Sequence, residues 1–518
     1  MPSFRRPRDL TFAIKTSAAV ALVVVADLLF YGHPFGATVG VFALLLTVAA
    51  TLLHPAARRD PKALCALAAA AVLALIQVET PSLLASLLFW ALLSLAVLAP
   101  RAQGFDDAWR WSQRLMAQAA VGLVGPWLDL RRARRAGRTG SRGRWKGVVP
   151  LLALPVLGGA VFLALFAAAN PVIANALAAL RLPRLGSDFG WRVMFWLTVL
   201  VLVWGVLRPR RRRVLPVGKA RRSVVLAGVP VASVVLSLIV FNALFALQNG
   251  LDAVILWGGA GPPAGLTLAE YAHRGAYPLI ATALLAGLFV LVFLAPSSPT
   301  AKVPLIRVLV VAWVAQNLFL VASSILRTLD YVQAYSLTRL RIAALVWMGL
   351  VALGLILVCW RMLRGKSGAW LINTNAAAAL VVLVAACVVD LGAVAAAWNV
   401  RHAREVGGQG SELDVCYLNR LGPSALVSLV ELERRAPSPD LVDRVAWVRE
   451  VNLTALRDRQ SNWRGWTWRG ARRLERLDAL GRERPLVRSA PAYQRYCGGH
   501  PVPPPPAAPS PLTESAEH

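Results

Sequence analysis

The sequence predicts an all-α fold, a polytopic bundle of transmembrane helices with a small helical C-terminal extramembrane domain. Three observations lead there. Of 518 residues, 57% are hydrophobic and only 16% charged, against about 25% charged in an ordinary soluble protein, and mean hydropathy is +0.57. The apolar residues gather in runs of roughly 20, the length a helix needs to cross about 30 Å of hydrocarbon. The Lys and Arg stand in blocks between those runs.

Taken in order, we expect about 11 spans, near 14–31, 36–55, 62–78, 81–99, 147–169, 190–207, 223–248, 275–296, 303–326, 338–360 and 371–399. The first is expected to stay as an uncleaved helix, because no Ala-x-Ala-type cleavage site follows it. With the N-terminus inside, the inner segments take 31 of the 38 Lys and Arg that precede residue 401. Such a bias sets orientation, and an odd number of spans then places the C-terminus outside. The same distribution argues against the nucleic-acid partner that a formal charge of +30 could otherwise suggest. The chain divides into a four-helix segment (1–100), a basic cytoplasmic loop (101–146), a core transmembrane domain (147–400), an extracytoplasmic helical domain (401–499) and a disordered Pro-rich tail (500–518).

The loop 101–146 mixes Trp109, Trp111, Leu115 and Val121 with Arg110, Arg114 and a basic end. It reads as an interfacial amphipathic helix on anionic lipids at the inner face of the bilayer, or as an ordinary basic loop. No phosphate-loop pattern occurs.

Polar side chains crowd into residues 242–341. The seventh span ends in Asn242, Gln248, Asn249 and Asp252, and a break at the LQNG sequence there would suit a transporter site. Thr267 and Glu270 have the spacing of a capping box. Tyr271, His273 and Arg274 follow, with Glu270 and Arg274 four apart on one helix face. The ninth span carries Gln316, Ser323 and Asp330 at steps of seven, with Asn317, Ser324 and Tyr331 beside them, which makes one polar stripe. Arg327 and Asp330 close its outer end. Asp27, near the outer end of the first span, and Asp390, in the outer half of the last, join by depth, with Arg339 as a further cation.

Charges in lipid cost at least about 2.5 kcal/mol each, so these groups must face protein or water. Three readings follow. The cluster holds a structural or accessory membrane component together. Alternatively it lines an outward-facing cavity for an ion or small solute, with Asp390 or Asp27 as the proton or cation site. In the third reading it belongs to a membrane-embedded enzyme acting on a lipid or envelope precursor, with Glu270 or His273 as acid or base and Arg274 or Arg327 on a phosphate. No HExxH, GxSxG or acidic metal motif accompanies the histidine, so catalytic residues are unassigned and neither metal nor cofactor is expected.

The run INTN at 372–375 marks the start of the last span. Beyond residue 400 the tail holds 18 Arg, no Lys and 14 Asp plus Glu, with helices expected near 424–435, 440–459 and 465–479. Trp463, Trp466 and Trp468 are expected to pack a small core in preference to resting on the membrane surface. Cys416 and Cys497, the tail's only cysteines, can close it with a disulfide if it lies in an oxidising compartment.

FNALFALQNGLDAVILWGG, LAEYAHRGAYPLIATALLAG, WVAQNLFLVASSILRTLDYVQAYSLTRLRIAALVWM and LDVCYLNRLGPSAL together resemble an uncharacterised family of bacterial multi-pass inner-membrane proteins, defined by a domain of unknown function. The resemblance covers about residues 150–400. It implies a cytoplasmic membrane protein of a Gram-negative-type bacterium, leaves room for an envelope protein partner, and carries over no activity or catalytic residue.

Overall fold

The computed structural model describes residues 7–102, 106–140, 188–209, 230–254, 303–492 and 494–503. Among them are fifteen α-helices and no strand beyond a single bridge between Arg495 and Pro501. Eight helices are long and apolar enough to cross a membrane, so this is a multi-pass membrane protein. Nine of the expected stretches coincide with helices. The stretches 147–169 and 275–296 lie outside the described residues.

The chain forms two compact units, residues 1–75, 86–105 and 110–214 in one and 76–85, 106–109 and 215–518 in the other. Helices α1 (Pro7–Phe30), α2 (Thr38–Leu53), α5 (Ala108–Gly140) and α6 (Phe189–Leu207) supply most of the first. The ends of α3 (Pro61–Glu79) and α4 (Leu83–Leu98) reach into the second. At 1.5 Å per residue, the 16 residues of α2 make about 24 Å, less than a full hydrocarbon core.

The last turn of α6 exposes carbonyls that have no partner inside the helix, and basic and amide groups answer them. Lys15 Nζ donates to Leu207 O at 2.9 Å, Gln118 Nε2 to Gly205 O at 2.6 Å, and Arg101 to Pro209 O. His54 Nε2 lies 3.1 Å from Val206 O. Asp129 of α5 accepts from Trp204 Nε1 at 3.0 Å and pairs with Arg208 at 3.1 Å. Helix α5 therefore turns its polar side to α6, while Trp109, Met116, Leu123 and Trp127 stay exposed. Such an apolar exposed side suits lipid.

In the second unit, α7 (Val231–Asp252) packs on α8 (Pro304–Tyr335), which turns back into α9 (Arg339–Arg364) and then α10 (Gly368–Val388). Gly365 ends α9 at φ +62°, and Lys366 N donates to Arg361 O at 3.0 Å, a left-handed cap that a β-carbon would strain. Helix α7 runs unbroken through Gln248, Asn249 and Gly250, so the LQNG sequence does not interrupt it. The last span also differs from expectation at both ends. It starts at Gly368 because Ser367 caps it; Thr374 and Asn375 sit inside the helix and bond back to Trp370 O and Leu371 O. It ends at Val388, and Asp390 caps a separate helix, α11 (Leu391–His402).

Helices α12 (Val415–Arg420), α13 (Leu426–Arg435), α14 (Pro439–Ser461) and α15 (Trp468–Glu483) follow. Leu418, Leu429, Leu432, Val445 and Val448 bury one core together with Ala395, Val400 and Leu337 from the end of the bundle. Leu426, Val430, Leu453, Leu456 and Leu477 form a second. The C-terminal helices thus fold directly onto the α8–α9 turn. Asn399 fixes that turn at both polarities, accepting from Leu337 N at 2.6 Å and donating to Leu337 O at 3.0 Å. A disulfide joins Cys416 to Cys497. Trp466 is half-buried, but Trp463 and Trp468 are 60% and 54% exposed, because aliphatic side chains fill both cores without them.

The segment after α15 is strapped to α14 by charge. Asp443 accepts from Arg495 and from Ala490 N, both at 2.6 Å. The Arg495 guanidinium, with help from the Ala490 amide, holds the Asp443 carboxyl below the usual carboxylate range against partial burial. The folded pKa is depressed, so this contribution is full above about pH 4 and is lost as pH falls through and below that value. We predict that the protection factor of the Ala490 amide drops below about pH 4. Asp443→Asn should lower it already at pH 7 and flatten the acid dependence, read by hydrogen exchange.

Candidate functional site

Two helices of one membrane bundle can bury polar groups only by pairing them, because lipid offers no hydrogen bond. The α7–α8 contact is built on that rule. Asn242 Nδ2 donates to Leu238 O at 2.7 Å in its own helix and to Leu309 O of α8 at 3.1 Å, while its Oδ1 accepts from Gln316 Nε2 at 2.8 Å. One heptad later Asn249 Nδ2 donates to Gln316 O at 3.1 Å. The separation of 67 residues recurs from Asn242 to Leu309 and from Asn249 to Gln316. The two helices are therefore parallel, with amides placed one heptad apart along their seam.

At the end of the seam Arg327 donates to Asp252 Oδ1, with 7% and 2% of the two side chains exposed. Gln248 Nε2 adds a second donor to the same oxygen at 3.0 Å. Phe241 and Phe245 flank the seam, their rings 5.3 and 5.9 Å from that of Trp313. Elsewhere on α8, Asn317 bonds back to Trp313 O at 2.8 Å and Ser324 to Leu320 O at 2.9 Å.

The remaining candidates go elsewhere. Asp330 is exposed and does not close the seam; Arg327 turns to Asp252 instead. Tyr331 meets Tyr335 in a tilted ring contact at 4.9 Å and lies under Arg341 at 4.2 Å. Asp27 accepts from Arg192 Nε at 2.9 Å and Trp196 Nε1 at 2.8 Å within the first unit. Asp390 accepts from Ala393 N at 3.0 Å, Ser424 Oγ at 3.0 Å and Arg473 at 2.7 Å. Arg339 crosses the start of α11, where a β-carbon on Gly392 would meet its Nε at 2.9 Å, and its backbone N–H donates to Tyr417 Oη at 2.9 Å. Glu270, Tyr271, His273 and Arg274, and with them the capping box, lie outside the described residues. Among the described residues no group of three or more His, Cys, Asp or Glu could hold a metal ion.

Sequence reading missed several charged arrangements, and three bear on the candidates or are deeply buried. Arg192 enters as the partner of Asp27, Arg473 as the partner of Asp390, and Arg449 pairs with Glu433 at 2.8 Å with 4% of each side chain exposed. Glu433 and Arg449 lie 16 residues apart on separate helices.

These contacts rank the candidates by expected cost. Asn242→Ala strands the Gln316 amide and should destabilise the protein by about 1 kcal/mol. Asp330→Asn should stay within about 0.5 kcal/mol of the wild type. Unfolding in bicelles measures both.

A family model described as a domain of unknown function (DUF4153) matches residues 63–432, well over half of the chain. No curated protein and no solved structure matches it. The match spans the α7–α8 seam, Asp390 and the first C-terminal helices, and the chain belongs to the DUF4153 family.

Proposed function

We propose that the protein is a structural or accessory component of a bacterial cytoplasmic membrane, and that its polar seam is a clasp between helices. The observation that carries this reading is the Arg327–Asp252 pair, buried between α7 and α8. A buried ion pair of this kind holds its partners because breaking it leaves one charge without water, a cost of roughly 3–5 kcal/mol. The concentration of Lys and Arg in alternate loops supports an N-inside, C-outside orientation. The parallel run of α7 and α8 supports an odd number of crossings between them, for which the apolar stretch 275–296 is the sequence's candidate. An outside location for the domain that holds the Cys416–Cys497 bridge agrees with an oxidising compartment, and the basic inner loop with anionic lipids at the inner face.

A second reading, passage of an ion or small solute, has one observation in its favour. Asn249 Oδ1, Asp252 Oδ2, Gln316 Oε1 and Asn317 Oδ1 are buried acceptors with no hydrogen-bond donor among the described residues. Glu270 and His273, on which an enzymatic reading turns, lie outside the described residues.

Replacing both charges by apolar residues of similar size, Asp252→Leu with Arg327→Met, separates the readings. A clasp predicts that either single change lowers thermal stability and that the double variant recovers most of it. In proteoliposomes the clasp also predicts no difference in flux of protons, Na⁺ or K⁺ between wild type and double variant. A wild-type flux that the stable double variant abolishes would establish transport instead.

A further inference from the structure

The N-terminal turn of α15 meets the ends of two membrane spans. Arg469 Nη2 donates to Val388 O at 2.6 Å and pairs with Glu79 at 3.4 Å; Arg472 pairs with the same Glu79, and Arg473 with Asp390 at 2.7 Å. Glu79 is the last residue of α3 and Val388 the last of α10, both of them candidate spans. The first turn of α15 therefore stands within an arginine's length of the level where two spans leave the hydrocarbon. The headgroup layer is roughly 5–8 Å thick on each side, comparable to that reach.

At that level the domain presents indole rings. Trp468 opens α15 and is 54% exposed. It stands four residues before Arg472, so the two share a helix face, and that face is the one that reaches Glu79. Trp463, in the turn just before, is 60% exposed with the Arg464 guanidinium 4.5 Å above its ring. The span ends beside them are apolar as well: Leu83 is 78% and Val389 46% exposed. An indole carries a large apolar body and one N–H donor, which is why tryptophan collects at membrane–water boundaries. Arginine beside it offers donors that match a lipid phosphate.

We propose that the C-terminal domain rests on the bilayer through Trp463 and Trp468, which insert into the phosphate–glycerol layer of the leaflet that ends at Glu79 and Val388. Arg469, Arg472 and Arg473 set the height by holding the domain to Glu79, Val388 and Asp390. The domain then is a ledge lying on lipid, anchored at one edge by the ion pairs and at the next by the two rings.

Depth measurement by electron paramagnetic resonance tests this on the full chain in phospholipid nanodiscs. Cys65, Cys359 and Cys387 are free cysteines and are replaced by Ala; Cys416 and Cys497 are retained. Nitroxide labels are placed singly at Trp463→Cys and Trp468→Cys. The expected result is a several-fold lower collision rate with water-soluble nickel chelate than a freely aqueous label shows, and a raised rate with oxygen. Full aqueous accessibility at both positions would overturn the proposal, as would labels shielded from both reagents, which would mean a protein partner covers the rings. If a labelled variant folds poorly, brominated lipids supply the second readout. They should quench the wild type more than a Trp463→Phe, Trp468→Phe variant, and equal quenching would count against lipid contact.

Discussion

Lipid supplies no hydrogen bonds, and the second unit is arranged around that constraint at the seam between α7 and α8. An amide or a charge inside a span must find its partner on a neighbouring helix or on its own turn. Asn242, Gln316 and Asn249 each make such a bond between helices, and the Arg327–Asp252 pair ends the line. Because the amides recur at the same 67-residue separation, a slip of one helix along the other would undo every pairing together. The seam therefore specifies register, which uniform apolar packing alone does poorly.

Where the spans end, the same kinds of side chain work differently. Asp390 lies beyond the last candidate span, caps α11 and takes Arg473, and so joins the end of α10 to the C-terminal helices. The α8–α9 turn is shared in the same way, with Leu337 inside the domain core and Asn399 bonded to its backbone. Bundle and domain share a core here, so the domain is not a bead on a linker. The apolar area buried by Leu418, Leu429, Val445 and Val448 provides the driving force, at roughly 25 cal/mol per Å²; the ion pairs contribute position.

The helices were legible in the sequence because length and hydropathy set them directly. So was most of the seam: Asn242, Gln248, Asn249, Asp252, Gln316 and Arg327 stood out as polar residues crowded into apolar runs. Partner choice was less legible. Asp27 and Asp390 appeared to belong with the seam because depth is all that a sequence reveals about a carboxylate, and their partners Arg192 and Arg473 lie 165 and 83 residues away. Asp330 kept the seven-residue step but is exposed, because it lies beyond Arg327, which already pairs with Asp252 at the end of α7. The tryptophans misled for another reason: an aromatic residue in a short helical domain serves a core or a boundary equally well, and only the aliphatic filling of both cores decides between them.

The central claim is that Asp252 and Arg327 act as one energetic unit holding α7 to α8. A double-mutant cycle with Asp252→Asn and Arg327→Gln, read by reversible unfolding in bicelles, measures this coupling directly. The account predicts a coupling energy of about 2 kcal/mol or more, in line with a desolvated, hydrogen-bonded pair. Additive losses, with coupling within about 0.5 kcal/mol of zero, would contradict it.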